Sequence, residues 1–243
     1  SWNDLLNLSK QNKVLWPLKP VHAISSFYSI YNNITEEFNP EDKNFINKEF
    51  GIKSLEMMKN ISAYLISDCF VMDPINTAEI LSSDDDFYYS PYTYGFSNYS
   101  RENYRANILT YGNVLNLSNK GPHGTHLGGT GIAISNKSNH KDLALEYSYW
   151  IAGADCQQSL FYNSGGQPGN SLAWENQQIN NECNSFFNNT RLTLNQAWIR
   201  PRHNGYMKFQ DESGNIINEY LQSNTNESII IDKLKKMYAE SFE

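Results

Sequence analysis

Apolar residues recur at helical spacing through most of this chain, and only a few short runs have the character of strands. That imbalance limits the available folds more than any other feature. Trp2, Leu5, Leu6 and Ser9 share one face of a helix over 2–10. Val14, Leu15 and Trp16 form a short apolar run that Pro17 ends. Helices are expected over about 22–32 and 45–66, the second with Phe50, Leu55, Met58, Ile61 and Leu65 in phase. Asp73 is an N-cap for a short helix over 74–81. Asn139 caps an amphipathic helix over 140–152, with Leu143, Tyr147, Trp150 and Ile151 inward. Further helices are expected over about 154–162, 171–188, 191–198, 203–222 and 226–240. The strand candidates are Phe87, Tyr88 and Tyr89, and a buried run of Ile132, Ala133 and Ile134. This is neither a regular βαβα series nor an all-α bundle, so the fold class is a helix-rich α/β arrangement.

Between Asp84 and Tyr104 the chain carries Phe87, Tyr88, Tyr89, Tyr92, Tyr94, Phe96, Tyr99 and Tyr104. A core has little use for so many phenols, because each buried hydroxyl needs a partner. Rings with a flat apolar face and a polar rim suit amphipathic ligands, and sugars are such ligands. Two readings stand: a Tyr-rich surface loop, or a binding platform.

The chain has 243 residues, enough for one large domain or two small ones. Its net charge is −7, and no basic run exceeds Lys235-Lys236. Nothing here displaces counterions from a phosphate backbone, so nucleic acid is disfavoured as a partner. No stretch is long and apolar enough for a transmembrane helix, and no signal peptide is visible. The start at Ser1-Trp2-Asn3 reads as a trimmed or mature fragment. Cys156 and Cys183 sit in polar, turn-flanked contexts and are either a disulfide or, with Cys69, ordinary buried thiols. Sequons at Asn98, Asn188 and Asn226 lend weak support to an extracytoplasmic location.

Catalytic motifs are not evident. Asp84, Asp85 and Asp86 read as a solvated turn. His123 and His126 lack a further ligand pair for a metal. Gly128-Gly129-Thr130-Gly131 precedes a strand where a phosphate cradle would follow one. No catalytic residue, metal or cofactor is expected. Binding is better served. Arg200 and Arg202 flank a proline, where a rigid turn can present a guanidinium fork to hydroxyls or a carboxylate. A structural salt bridge would use the same residues. Gly165 to Gly169 is either a close-approach loop or a plain helix-to-helix turn. Trp16 and His22 bracket a stiff, proline-fixed loop.

Taken in order, these pieces resemble the extracellular solute-binding proteins of ABC importers, in the family that includes the sugar binders. Trp2-Asn3-Asp4-Leu5-Leu6 is similar to the helix that opens the family's second lobe. Leu127 to Ser135 is similar to its Gly-rich crossover strand, and Asn139 to Ala152 to the helix that follows. Cys156-Gln157 through Gly169 is similar to the next conserved-looking segment. The resemblance implies a periplasmic-binding-protein-like fold of two α/β lobes that close on a solute by hinge motion. It implies that 1–125 and 178–243 form the second lobe and 126–177 a returning segment of the first. Most of the first lobe would be absent, which exposes apolar surface and favours self-association. The implied function is binding of a sugar or oligosaccharide in an inter-lobe cleft and delivery to membrane permease subunits. The implied location is extracellular or periplasmic. The implied ligand contacts are Trp16, His22, Tyr92, Tyr94, Tyr99, Gly129, Thr130, Arg200, Arg202 and Tyr206. The alternatives are a carbohydrate-acting hydrolase using the acidic run at 84–86, or a non-catalytic interaction module.

Overall fold

A computed structural model describes residues 1–35, 39, 42–44 and 46–243. Its helices are α1 (Trp2–Ser9), α2 (Pro20–Ile34), α3 (Lys48–Ser62), α4 (Pro74–Leu81), α5 (Lys141–Ala152), α6 (Ala154–Cys156), α7 (Ser171–Glu175), α8 (Gln177–Glu182), α9 (Phe186–Asn195), α10 (Tyr206–Leu221) and α11 (Glu227–Glu240). A π-helical turn, Gln157–Phe161, continues α6. The expected start of the second long helix at Phe45 lies outside the described residues; Asn47 caps that helix, accepting from the Glu49 and Phe50 amides. Asp73 caps α4 as expected, in a reciprocal box with Asn76. Asn139 does not cap α5. His140 occupies the N-cap position, without a side-chain cap bond.

Strands are the main departure. Among the described residues the chain forms only two isolated parallel bridges, Val14 with Tyr89 and His126 with Trp198. The expected strand over Phe87, Tyr88 and Tyr89 reduces to the first of these. Tyr88 N donates to Lys13 O at 2.9 Å and Leu15 N to Tyr89 O at 3.0 Å. Turns on both sides stop the ladder there. Ile132, Ala133 and Ile134 form no strand and are not buried, and Ile132 is 51% exposed. They find no neighbouring strand among the described residues, and an unpaired extended segment has nothing to bury it.

The chain divides into two compact units. Unit 1 comprises 1–94, 113–127 and 192–243, and unit 2 comprises 95–112 and 128–191. These divisions differ from the expected 1–125 and 178–243 against 126–177. Residues 95–112 join unit 2 because Arg101 donates to the Tyr162 and Gly166 carbonyls, and Gln167 ties Ser97 N and Gly95 O. Residues 178–191 join it because Ile179, Cys183, Phe186 and Phe187 share a core with Tyr162 and Ala173. The loop Gly165 to Gly169 is thus a tie within unit 2, secured through Gln167.

Unit 1 is built around α2. Residues from Ala23 to Asn33 are buried along its whole length, which is the mark of a central helix. Its apolar residues, including Phe27, Tyr28, Ile30 and Tyr31, join Leu55, Met58, Phe209, Ile217 and Leu234 in one core. Its buried polar residues form a stripe at i, i+4, i+7 and i+8. Ser29 accepts from His126 N at 3.4 Å and Asn32 Nδ2 donates to Gly124 O at 3.3 Å. Asn33 Nδ2 donates to His123 O at 2.7 Å, while its Oδ1 accepts from Leu117 N at 2.6 Å. The stripe satisfies the backbone of an extended segment that has no sheet to pair with. Gly124 fits that segment because its φ is +80° and a Cβ there would fall 2.5 Å from Asn32 Cβ.

Within unit 2, α5 leaves its apolar face open. Leu143, Tyr147 and Trp150 are 67%, 52% and 50% exposed, which corrects the expectation that they point inward. Its amphipathic pattern is real, but no element of unit 2 covers those side chains. The three cysteines are free and buried, so Cys156 and Cys183 form no disulfide. Cys183 instead donates to Ile179 O at 3.0 Å.

Candidate functional site

The N-terminal end of α2 gathers the polar chemistry of unit 1. Pro20 stands in the first turn of the helix, where its missing N–H costs nothing. Two residues on, His22 is half-buried and meets Tyr94 edge-to-face, with ring centroids 6.2 Å apart. Ser25 follows on the same face. Its hydroxyl donates to Val21 O at 2.8 Å, so it accepts from His126 Nδ1 at 3.0 Å. Tyr94's hydroxyl is within hydrogen-bond reach of Ser25, and burial raises its pKa, opposed by Arg200.

The His126–Trp198 bridge supplies the rest. Leu127 N donates to Trp198 O and Trp198 N to Thr125 O, at 2.9 and 2.8 Å. This pairing stacks the His126 imidazole on the Trp198 indole at 5.2 Å and carries Arg200 to the same face, two residues on. Arg200 Nη1 donates to Oε1 of the buried Gln210 at 3.0 Å, which holds the fork while leaving the residue exposed. Its charge acts on Tyr94, His126 and Tyr206. The arrangement joins ring faces, a fixed guanidinium and an imidazole, the groups that grip hydroxyl-bearing, partly apolar ligands.

Burial and the nearby Arg200 charge bring the His126 pKa down to about 4, so the ring is neutral near pH 7. With Nδ1 donating to Ser25, Nε2 is left as a buried acceptor without a hydrogen-bond partner. The folded pKa lies below the unfolded value of about 6.5. Unfolded chains therefore bind more protons between these values, and stability falls as pH drops from 6.5 toward 4. His126 alone accounts for about 3 kcal/mol of that loss. His126→Asn is expected to flatten the fall in melting temperature between pH 7 and 4.5. Equal slopes in the two proteins would show that His126 takes up its proton as readily in the fold as in the unfolded chain.

The residues expected from sequence fall into four groups. His22, Tyr94 and Arg200 come together on the face just described. Arg202 is exposed on unit 1, beyond Pro201. Trp16, Tyr92 and Tyr206 belong to the core of unit 1, at 0%, 6% and 1% exposure. Trp16 lies against Tyr92 at 5.9 Å and Trp2 at 6.5 Å, and its Nε1 donates to Ser26 Oγ at 3.0 Å. Tyr99, Gly129 and Thr130 lie in unit 2. Tyr99 is buried there, edge-on to Tyr104 at 5.2 Å, while Gly129 and Thr130 are exposed. The Tyr-rich stretch is thus divided between the units after Tyr94. Sequence reasoning missed Ser25, Trp198 and Gln210, and it weighed His126 only as a metal ligand. Trp198 and Arg200 share one short segment, which is the signal that was there to use.

Among the described residues, no group of three or more His, Cys, Asp or Glu is placed to hold a metal ion. No helix among them is long and apolar enough to cross a membrane. Asp86 pairs with Lys13 and accepts from Tyr88 Oη at 2.5 Å, and the Lys13 and Tyr88 hydrogen bonds hold its pKa below the usual carboxylate value.

The fold is a helix-rich one of the periplasmic-binding-protein type. A solved structure that carries this likeness is maltose-bound MalE3 of T. maritima. It matches with a TM-score of 0.70 at 12% identity, over 98% of this chain and 64% of that one. This chain therefore spans less than two thirds of that neighbour's length. No protein-family model matches the sequence. No curated protein matches it.

Proposed function

We propose that this chain is the solute-binding subunit of an ABC import system. On this reading it binds a sugar or oligosaccharide in a cleft between lobes and delivers it to membrane permease subunits. It works at an extracellular or periplasmic location and is not an enzyme. Unit 1 answers to the second lobe. The observation that carries the reading is the face at the start of α2, where His22 and Tyr94 meet edge-to-face and Gln210 fixes the Arg200 fork. Such a face suits a ligand with apolar C–H patches and many hydroxyls. The maltose bound to the fold neighbour supports the same ligand class. Tyr94, His22 and Arg200 make the main contacts, with Arg202 at the rim. Trp16, Tyr92 and Tyr206 act as the core behind them.

A thermal-shift screen of mono- and oligosaccharides and amino acids tests this. A bound saccharide raises the melting temperature by mass action, by about 2.7 kcal/mol of stabilisation at a hundredfold excess over Kd. A flat response to every solute, together with turnover of a chromogenic glycoside, would replace the import reading with a hydrolytic one.

A further inference from the structure

Arg200 is held differently from Arg101 and Arg191. Arg191 pairs with the Glu175 carboxylate at 3.0 Å. Arg101 spends Nη1 and Nη2 on the Tyr162 and Gly166 carbonyls inside unit 2. Among the described residues Arg200 makes one hydrogen bond, from Nη1 to the Gln210 amide oxygen at 3.0 Å, and it pairs with no carboxylate. Gln210 is 2% exposed, so the holder is fixed in the core, while Arg200 itself is exposed. A neutral amide orients the guanidinium without cancelling its charge. A guanidinium already held in place gives up little freedom when a ligand takes its remaining donors.

The rest of the face leaves that charge standing. Helix α2 begins there with no side-chain cap and no acidic residue in its first turn, so its orphan N–H groups add positive potential. Burial keeps the Tyr94 phenol protonated and the His126 ring neutral near pH 7. The charges that reach His22 are Asp73 and Lys19, of opposite sign. The Asp73 carboxylate already accepts from the Ile75 and Asn76 amides of α4. Arg202 adds a second exposed guanidinium two residues on, without an ion pair among the described residues. The whole chain carries −7, so a positive face on it comes from local arrangement and not from composition.

We propose that this face prefers an acidic saccharide, one whose carboxylate takes the free donors of Arg200 while its C–H face lies against the Tyr94 ring. One fixed fork matches the two oxygens of a carboxylate. This preference rests on the solute-binding reading and narrows its ligand: a neutral sugar keeps the ring and hydroxyl contacts and binds more weakly.

The test compares glucuronate with glucose and with glucuronamide, an uncharged amide of nearly the same shape. Each is titrated into the ¹⁵N-labelled 243-residue chain, followed at the Tyr94 and Arg200 amides. The Kd for glucuronate is expected to lie about tenfold or more below both neutral sugars, the gain of a charge-assisted pair. That gap is expected to narrow as salt is raised. In Arg200→Gln, at an exposed position, the three Kd values are expected to converge. Gln210→Glu keeps the shape of the holder but sets a carboxylate against the fork, and the preference is expected to disappear there too. Equal Kd values in the unsubstituted chain, or a preference that survives both substitutions, would overturn the acidic ligand and leave the import reading with a neutral sugar. Shifts with none of the three would remove the import reading along with it.

Discussion

Trp16→Ala is expected to lower the melting temperature of unit 1 by about 10 °C. Trp16 is fully buried, between Trp2 and Tyr92, and hydrogen-bonded to Ser26. Truncating a buried Trp to Ala costs about 3–5 kcal/mol, because the cavity it leaves closes only in part. In a chain of this size each kcal/mol is worth about 2–4 °C. The Ser26 hydroxyl, on the central helix, loses its donor at the same time. A sugar-stacking residue behaves differently, losing affinity while stability holds. Thermal denaturation followed by circular dichroism separates the two roles. A fall of less than about 2 °C accompanied by lost saccharide affinity would return Trp16 to the ligand site.

Gly214→Ala is expected to destabilise unit 1 by about 2 kcal/mol, although alanine is the better helix former. The position lies inside α10, where Ala for Gly favours the helix by about 1 kcal/mol. Against this, a Cβ at Gly214 would stand 2.5 Å from Pro20 O and 2.8 Å from Pro20 C. Both are backbone atoms, so no side chain can swing aside and the helices must part. Overpacking of this kind costs up to about 3 kcal/mol and wins. The contact also positions the candidate site, because Pro20 begins α2 and His22 follows two residues later. Nearby, Asn218 Nδ2 donates to Leu18 O at 2.6 Å and to Phe70 O at 2.8 Å, locking the same junction. Loss of saccharide affinity should therefore accompany the loss of stability. A Gly214→Ala protein with unchanged or raised melting temperature would mean that α2 and α10 are not in this close contact.

Local rules were enough to read some helices, but the expected helices over 171–188 and 191–198 are instead α7, α8 and α9, broken at Asn176 and at 183–185. Asp73 before Pro74 fixes a start that no distant residue needs to confirm, and α4 begins there. Periodicity alone places the start of α2 two residues late, at His22, though Pro20 is well suited to a first turn. What the sequence conceals is which polar residues are inside. Ser25, Ser29, Asn32 and Asn33 look like an ordinary solvated stripe, since their partners lie about ninety residues away at 117–126. For the same reason Trp16 and Tyr92 looked like ligand contacts: an aromatic ring carries no local mark of whether core or solute will cover it. Tyr94 and Arg200 do come near one another on unit 1, as a phenol in a turn-rich stretch and a guanidinium beside proline have fewer uses in a core. The α5 face shows the opposite failure. Its periodicity predicts burial, but periodicity identifies an apolar stripe and not the element that covers it.

Calorimetric titration with maltose and maltotriose, on the 243-residue chain and on its Tyr94→Ala and Arg200→Ala variants, bears most directly on the proposed sugar-binding face of unit 1. The expected result is saccharide binding by the parent chain, weakened about tenfold or more in each variant, with unchanged far-UV circular dichroism. Equal affinity in all three proteins, or no heat with either sugar, would contradict it.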